Sequence, residues 1–490
     1  IAQKITLEGT LFEGQKQYAM KITKDVAQPN MRPSFVLDGQ HHAREVMTAE
    51  ITRDAMEYLT SNYPSDPDVQ RWVDSINIYV VPIVNPDGAM YMFQYDSGWR
   101  KNRHPGCPVD INRNYPFLFA SCNGSSGDCG AETTRGSGPA SEPETQGMIQ
   151  QTLAAHPLFA LSYHSYGEDL MYSYGCSDPD EKAVLDERAQ QLNHILENDN
   201  GQTGLWNVGP IGSALYAVDG GSIDTQYGIY DAYSYVIEVN TSDFQPDYDT
   251  WRDITVKRQR TAWQYFLRQT LDGSQINGRV TDAATGQPLA ATVSVAEVTY
   301  THGEAPRTAD ARGLYHWLTQ SAHTYHVTYS MAGYCTETRT VAVGDGPVTV
   351  DVMLGHPAAP AGASATGNGD NRIDVSWTSV DGVTEYHVYR SLASGGPYTQ
   401  VGTVPAAQTT FADTTVSGGV AYYYVVRAYQ GCESPDSPEA SASTTGPCTL
   451  GPSFGGLLSV TNPAKSTCTL SLAWNPGHAY CAGPLTYAVH

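Results

Sequence analysis

Three things are scarce in this chain: charge, long apolar runs and closely spaced cysteine pairs. Charged residues make up only 16% of 490, and Lys plus Arg is 28 against 51 for Asp plus Glu, a net charge of −23. Such a surface repels phosphate backbones and anionic lipid, which excludes the usual nucleic-acid and membrane-surface proteins. No apolar run approaches the roughly 20 residues that span a bilayer. None of the nine cysteines forms a Cys-x-x-Cys pair. Cys107, Cys122 and Cys129 lie in Gly/Ser-rich loop sequence, where a bridge limits loop freedom. Disulfides in an exported protein are therefore expected rather than metal thiolates. The pairing stays open, and an odd count leaves at least one thiol over.

What is plentiful is Gly, Tyr and Pro, at 46, 32 and 29 residues. Low charge with many aromatics excludes a disordered chain. The length suggests three or four domains. The chain opens at Ile1 without an initiator Met and reads as trimmed, so any targeting segment is out of view.

Residues 1–272 read as α/β sequence. Strands are expected at 17–23, 33–39, 76–84, 159–165 and 233–240. Ser141-Glu142-Pro143-Glu144 forms a capping-box pattern that opens a helix to about Ala155. Ser177 with Asp180 opens another, with Leu185, Ala189, Leu192 and Leu196 at helical spacing. A last helix, about Thr250 to Leu271, carries Trp263, Phe266 and Leu267 on one side. The alternation predicts a mixed, mostly parallel sheet covered by helices on both faces. From Gln275 the pattern changes to short strands and Gly, Pro and Asn-rich turns, which predicts all-β sandwich domains at 275–355 and 357–446. Residues 447–490 repeat a Trp-strand and a Tyr-strand of the preceding unit and then stop. An incomplete β module of that kind is expected to be loosely held or docked on a neighbour.

Chemistry concentrates at a few strand ends. His42 and Glu45 stand three apart where an apolar run hands over to a helix, so their side chains can converge on one point. Imidazole nitrogen and carboxylate oxygen are both zinc ligands, although the pair alone also fits a solvated helix N-terminus. His164 ends the apolar stretch Phe159–His164, at the kind of strand end where α/β proteins bind ligands. Arg100, Asn112 and Arg113 sit in polar loop sequence and suit carboxylate recognition or plain surface ion pairs. Asp110 can orient a ligand histidine or simply serve a turn. Glu238 lies late in a buried strand, where an unpaired carboxylate is costly unless a cation or a reaction requires it.

Taken in order, His42-x-x-Glu45, Arg100, Asn112-Arg113, His164-Ser165-Tyr166, Tyr216 and Glu238 resemble the zinc metallocarboxypeptidases of the carboxypeptidase A type. Asn85–Gly88, Trp99–Arg103, Ile111–Asn114, Ser141–Thr145 and Gly220–Asp224 match further landmarks of that family, and the resemblance covers about 1–272. It implies an N-terminal catalytic domain in which His42, Glu45 and His164 hold one Zn2+. It implies Glu238 as general base and Arg100 as oxyanion partner. Asn112 and Arg113 would grip the terminal carboxylate of a peptide or protein substrate, with Tyr216 closing over it. Arg44, Ser165 and Tyr166 would line the subsites before the scissile bond. The family's domain begins some tens of residues earlier, so a helix is expected ahead of this start. Residues 275–355 resemble the transthyretin-like domain found after some carboxypeptidases. Residues 357–446 resemble fibronectin type III, with Tyr422 as its tyrosine corner.

The resemblance places Ile223, with Ile211, Val218 and Gly175, in the pocket for the C-terminal side chain. All are uncharged, so apolar or aromatic residues are the expected preference, while Asp219 nearby could admit some basic ones. Two other readings remain: a zinc amidase acting on cell-wall peptides, and a catalytically silent adhesion protein. Retention of Glu238 with all three ligands argues against the silent one.

Overall fold

The computed structural model describes residues 1–7, 9, 11–461, 471–481 and 485–487. Two compact units emerge. One comprises Ile1–Tyr329 and Glu337–Met353, the other Ser330–Thr336 and the chain from Leu354 onward.

Among the described residues the first unit begins with eight strands interspersed with eight α-helices. They are β1 (Ala2–Thr6), β2 (Tyr18–Ile22), β3 (Ser34–Gly39), α1 (Val46–Asn62), α2 (Pro67–Ser75), β4 (Asn77–Val81) and α3 (Pro86–Gln94). Then come α4 (Pro143–Ala155), β5 (Pro157–Ser165), β6 (Asp169–Tyr172), α5 (Lys182–Asn193), β7 (Asn207–Pro210), α6 (Ile211–Ala214), α7 (Ser222–Tyr230), β8 (Tyr233–Val239) and α8 (Tyr248–Asp272). The strands form one sheet in the order β1-β2-β4-β3-β5-β8-β6-β7. Pairings β4-β3, β3-β5, β5-β8 and β6-β7 are parallel, and the rest antiparallel.

Alternation along β3 explains the layers. Phe35 and Leu37 face one side and pack with Met47, Ile51 and Ala55 of α1, Leu185 and Leu192 of α5, and Trp263 and Phe266 of α8. Val36 faces the other side with Ala155 of α4. Strands buried on both faces read as continuous apolar runs, which is why the central ones were legible.

Two helix starts differ from expectation. The structure begins α4 at Pro143, with Glu142 at the cap and no side-chain cap hydrogen bond. Ser141 Oγ donates to Glu142 Oε1 instead, and Glu144 accepts from Asn102 in the interior. Burial has drawn the capping-box glutamate away from the helix end. Helix α5 begins at Lys182 rather than near Ser177, because Asp180 accepts from Thr301 instead of capping.

The same unit continues in two smaller sheets. One holds β9 (Gln275–Asp282), β11 (Leu314–Leu318), β14 (Pro347–Thr349) and β15 (Val352–Leu354). The other holds β10 (Thr292–Val295), β12 (His323–Ser330) and β13 (Glu337–Val343).

The second unit carries β16 (Ser364–Gly367), β17 (Ile373–Ser376) and β20 (Thr410–Asp413) in one sheet. Its other sheet holds β18 (Glu385–Ser391), β19 (Thr399–Pro405), β21 (Ala421–Tyr429) and β22 (Ala440–Ser443). Trp377, Tyr386 and Tyr424 fill the space between them, and the Tyr422 hydroxyl accepts the N–H of Ser417. A hairpin of β23 (Leu457–Thr461) and β24 (Ser471–Trp474) follows. Leu450 and Tyr480 pack against the preceding core, and Cys448–Cys481 closes the segment.

Disulfides also join Cys107–Cys129, Cys122–Cys176 and Cys335–Cys432. The ninth cysteine, Cys468, lies outside the described residues. Among the described residues no helix is long and apolar enough to cross a membrane.

Candidate metal centre and its cleft

The three parallel strands β3, β5 and β8 end side by side. The loop after β3 carries His42 and Glu45, β5 carries His164 next to its end, and β8 carries Glu238 directly opposite His164 in the register. Parallel strands leave their C-terminal ends on one edge of the sheet, so residues far apart in sequence meet there.

Three buried ligand groups converge. His42 Nδ1 lies 2.6 Å from Glu45 Oε1, His164 Nδ1 lies 3.1 Å from Glu45 Oε2, and the two Nδ1 atoms are 3.2 Å apart. Asp110 Oδ1 stands 3.2 Å from His42 Nε2. That contact favours the proton on Nε2 and leaves the Nδ1 lone pair facing inward. Two ring nitrogens 3.2 Å apart and beside a carboxylate need a ring proton or a metal cation among them to relieve their repulsion. The donor set, two imidazoles and one carboxylate, is what a catalytic zinc site requires. These residues therefore fit a zinc ion.

The surrounding charges are arranged in pairs. Arg100 donates to Asp110 Oδ2 through Nε at 3.0 Å and Nη2 at 2.7 Å, and its Nη1 lies 3.9 Å from Glu45. Burial would raise the Asp110 carboxyl, but Arg100 and His42 outweigh it and hold it well below the usual range. Burial likewise works to raise Glu45, and the two imidazoles overcome it and hold it low. His164 is pushed down to about 4, mainly by burial. Glu238 moves the other way: burial and then the Glu45 charge lift it well above an ordinary carboxyl. Among the described residues nothing donates a hydrogen bond to it.

The remaining expected residues ring this cluster. Arg113 is buried, donating Nε to Gly124 O and Nη1 to Asn112 O, which leaves Nη2 without a protein partner among the described residues. Asn112 Oδ1 accepts the N–H of Ser222, so its amide nitrogen stays available. Tyr216 is exposed. Ser165 is buried with no partner for its hydroxyl, whereas Tyr166 is exposed. Arg44 donates to Gly98 O. Ile223 joins Met171, Ile211, Val218 and Val236 in a small apolar cluster. Gly175 beside it has no room for a side chain, because a Cβ there would lie 2.2 Å from Val218 O.

His41, the neighbour of His42, stacks its ring on His164 at 5.3 Å between centroids but directs its nitrogens elsewhere. Its ring lies 3.3 Å from Asp38 and 3.1 Å from the Tyr115 hydroxyl.

Two residues near the cleft went unread in the sequence. Phe244 lies between Arg44, whose guanidinium is 4.1 Å from the ring centroid, and Tyr166, at 4.7 Å edge-on. Asp169 pairs with Glu238 across β6 and β8. Phe244 sits in an aperiodic loop and carried no signal. Asp169 was findable only once β6 was known to lie beside β8.

Residues 1–256 match the family model described as zinc carboxypeptidase. Carboxypeptidase A2 of Rattus norvegicus is 31% identical over 252 residues, which is 50% of this chain and 58% of that protein. Metallocarboxypeptidase A of Trichophyton tonsurans is 34% identical over 210 residues, 40% of this chain and 48% of that protein. The chain thus spans about half the length of the curated relatives it matches. Among solved structures, thrombin activatable fibrinolysis inhibitor superposes with a TM-score of 0.50 at 23% identity, covering 55% of this chain and 69% of that one, a likeness of fold. With just over half of its residues matched by that model, and a buried His-Glu-His cluster at the strand ends, the chain belongs to the zinc carboxypeptidase family.

Proposed function

We propose that this protein is an exported zinc exopeptidase that hydrolyses the C-terminal peptide bond of peptides and proteins and prefers apolar or aromatic C-terminal residues. The observation that carries this reading is the convergence of His42, Glu45 and His164 with Glu238 one strand away.

A zinc ion held by the first three supplies Lewis acidity toward water and the scissile carbonyl. Glu238, one strand away from His164, would take a proton from the attacking water and return it to the leaving amine. Arg100, held flat by Asp110, presents its remaining N–H groups to the oxyanion. The free Nη2 of Arg113 and the free amide of Asn112 bind the terminal carboxylate. Tyr216, exposed on its loop, closes over the bound end. Arg44, Ser165 and Tyr166 line the subsites before the scissile bond.

The side-chain preference rests on the apolar cluster around Ile223. Two nearby acids do not contradict it. Asp219 is buried, and its Oδ2 accepts the N–H groups of Cys122 and Gly124. Asp224 accepts from Gly175, and burial lifts it to about 7, which suppresses its charge. Four disulfides support an oxidising compartment. Residues 275–355 are read as a transthyretin-like domain, 357–446 as fibronectin type III-like, and 447–490 as an incomplete β module.

The test is a panel of blocked dipeptides ending in Phe, Leu, Arg or Glu, with and without a chelator. Chelator-sensitive release of Phe and Leu is expected. Release of Arg alone would refute the pocket assignment, and no turnover by the zinc-loaded protein would refute the exopeptidase reading.

A further inference from the structure

A second cluster of ligand atoms lies within the first unit, away from the cleft. Asp180 stands two residues before α5, and His302 and Glu304 sit on the segment between β10 and β11. Their ligand atoms all lie within 4.8 Å of one another. His302 Nδ1 is at the centre: 3.4 Å from Asp180 Oδ2, 3.5 Å from Glu304 Oε1 and 3.3 Å from Thr301 Oγ.

Those separations are informative. They are long for charge-assisted hydrogen bonds, which run to about 2.7–2.9 Å. They match the edge of a tetrahedron whose centre lies about 2.0–2.1 Å from each corner, roughly 3.3–3.4 Å. The carboxylates are also held from outside. Asp180 accepts the Thr301 N–H and hydroxyl, Glu304 Oε2 accepts the His302 N–H, and Glu304 Oε1 accepts the buried Tyr174 hydroxyl at 2.8 Å. Outer partners of this kind orient ligands around a metal. The Glu304 side chain is only 3% exposed, whereas His302 is half-buried and Asp180 lies at the exposed rim of the cluster.

We infer that Asp180, His302 and Glu304 form a second, structural site for a zinc-class divalent cation, with Thr301 or water completing the shell. Imidazole with carboxylates selects a borderline metal over calcium, which prefers all-oxygen sets. The ion would fasten the 299–306 segment to Tyr174 and to the start of α5. This inference does not depend on the peptidase activity, and its readout is metal content.

The experiment is a cobalt titration of the metal-free full chain, followed by visible absorption, with zinc content measured in parallel. Two equivalents of tetrahedral cobalt absorption are expected in the unaltered protein. One equivalent is expected in His302→Gln and one in His164→Ala, each losing a different site. The second equivalent should raise the melting temperature of the unaltered protein but not that of His302→Gln. A single equivalent in the unaltered protein would overturn the site, even if His302→Gln failed to fold. Two equivalents in a folded His302→Gln would also overturn it, as would a melting shift produced by calcium and not by zinc.

Discussion

His164 and Glu238 are direct partners across two parallel strands, so an imidazole of the ligand cluster and an acid with no hydrogen-bond donor among the described residues leave the sheet side by side. Few residues beside a sheet core tolerate that position without a duty, because a half-buried carboxylate without a donor costs stability.

Glu238→Gln should therefore separate chemistry from folding. Turnover should fall by about 10²–10⁴-fold, the usual share of a general acid–base group. Zinc content should be unchanged, since Glu238 is outside the His42, Glu45, His164 cluster. The metal-free protein should melt at the same temperature or higher, because burial and Glu45 already disfavour the Glu238 charge. Turnover near the unaltered level would remove Glu238 from the reaction.

Asp110 touches both halves of the site, with Oδ2 on Arg100 and Oδ1 on His42. Asp110→Asn should weaken zinc binding by roughly 10–100-fold, the usual effect of losing a partner that orients a ligand. Turnover at saturating zinc should also fall, because Arg100 loses its charged support. Competition against a chromophoric chelator measures the first effect, and an unchanged affinity would make Asp110 a partner of Arg100 alone.

The sequence was most legible where periodicity or strand position constrained it. The central strands are apolar on both faces, so β3, β5 and β8 were readable, and with them the placement of His42, His164 and Glu238 near their ends. Loops carry no period. The Cys122–Cys176 bridge, the placement of Phe244 and the anchoring of Asp219 to the Cys122–Gly124 segment all depend on distances between loops. Ser141 and Glu144 show tertiary burial overriding a local pattern: the motif is intact, and its glutamate is turned to Asn102.

Glu144 also gives a pH dependence. Burial, partly offset by Asn102 and reinforced by Glu142 and Asp87, lifts its pKa from 4.5 to about 7. The folded protein thus prefers the protonated form. Stability from this group is complete below pH 4.5, declines as pH rises to about 7 and is level beyond that. The full displacement corresponds to at most about 3 kcal/mol. Glu144→Gln, which keeps an acceptor for Asn102, should gain stability over the unaltered protein above pH 7 and match it near pH 4. Denaturant unfolding at both pH values checks this, and an equal difference at both would place the cause elsewhere.

The last prediction tests the ranking of Ile223 over Asp219 as the residue that sets the side-chain preference. Ile223 lies in the apolar cluster with Met171, Ile211, Val218 and Val236, so Ile223→Asp puts a charge where the C-terminal side chain is proposed to sit. It should lower kcat/KM for Phe-ended substrates and raise it for Arg-ended ones, each by tenfold or more, since one methylene alone is worth about 1–3 kcal/mol. Asp219 is nearby in sequence, but its carboxylate is spent on the backbone N–H groups of Cys122 and Gly124. Gly124 in turn accepts from Arg113, the residue proposed to hold the substrate carboxylate. Asp219→Asn should leave the Phe-to-Arg ratio unchanged while raising KM for both. A ratio that moves toward Phe in Asp219→Asn would show that Asp219 reads basic side chains after all, and would move the selectivity determinant from Ile223 to the loop.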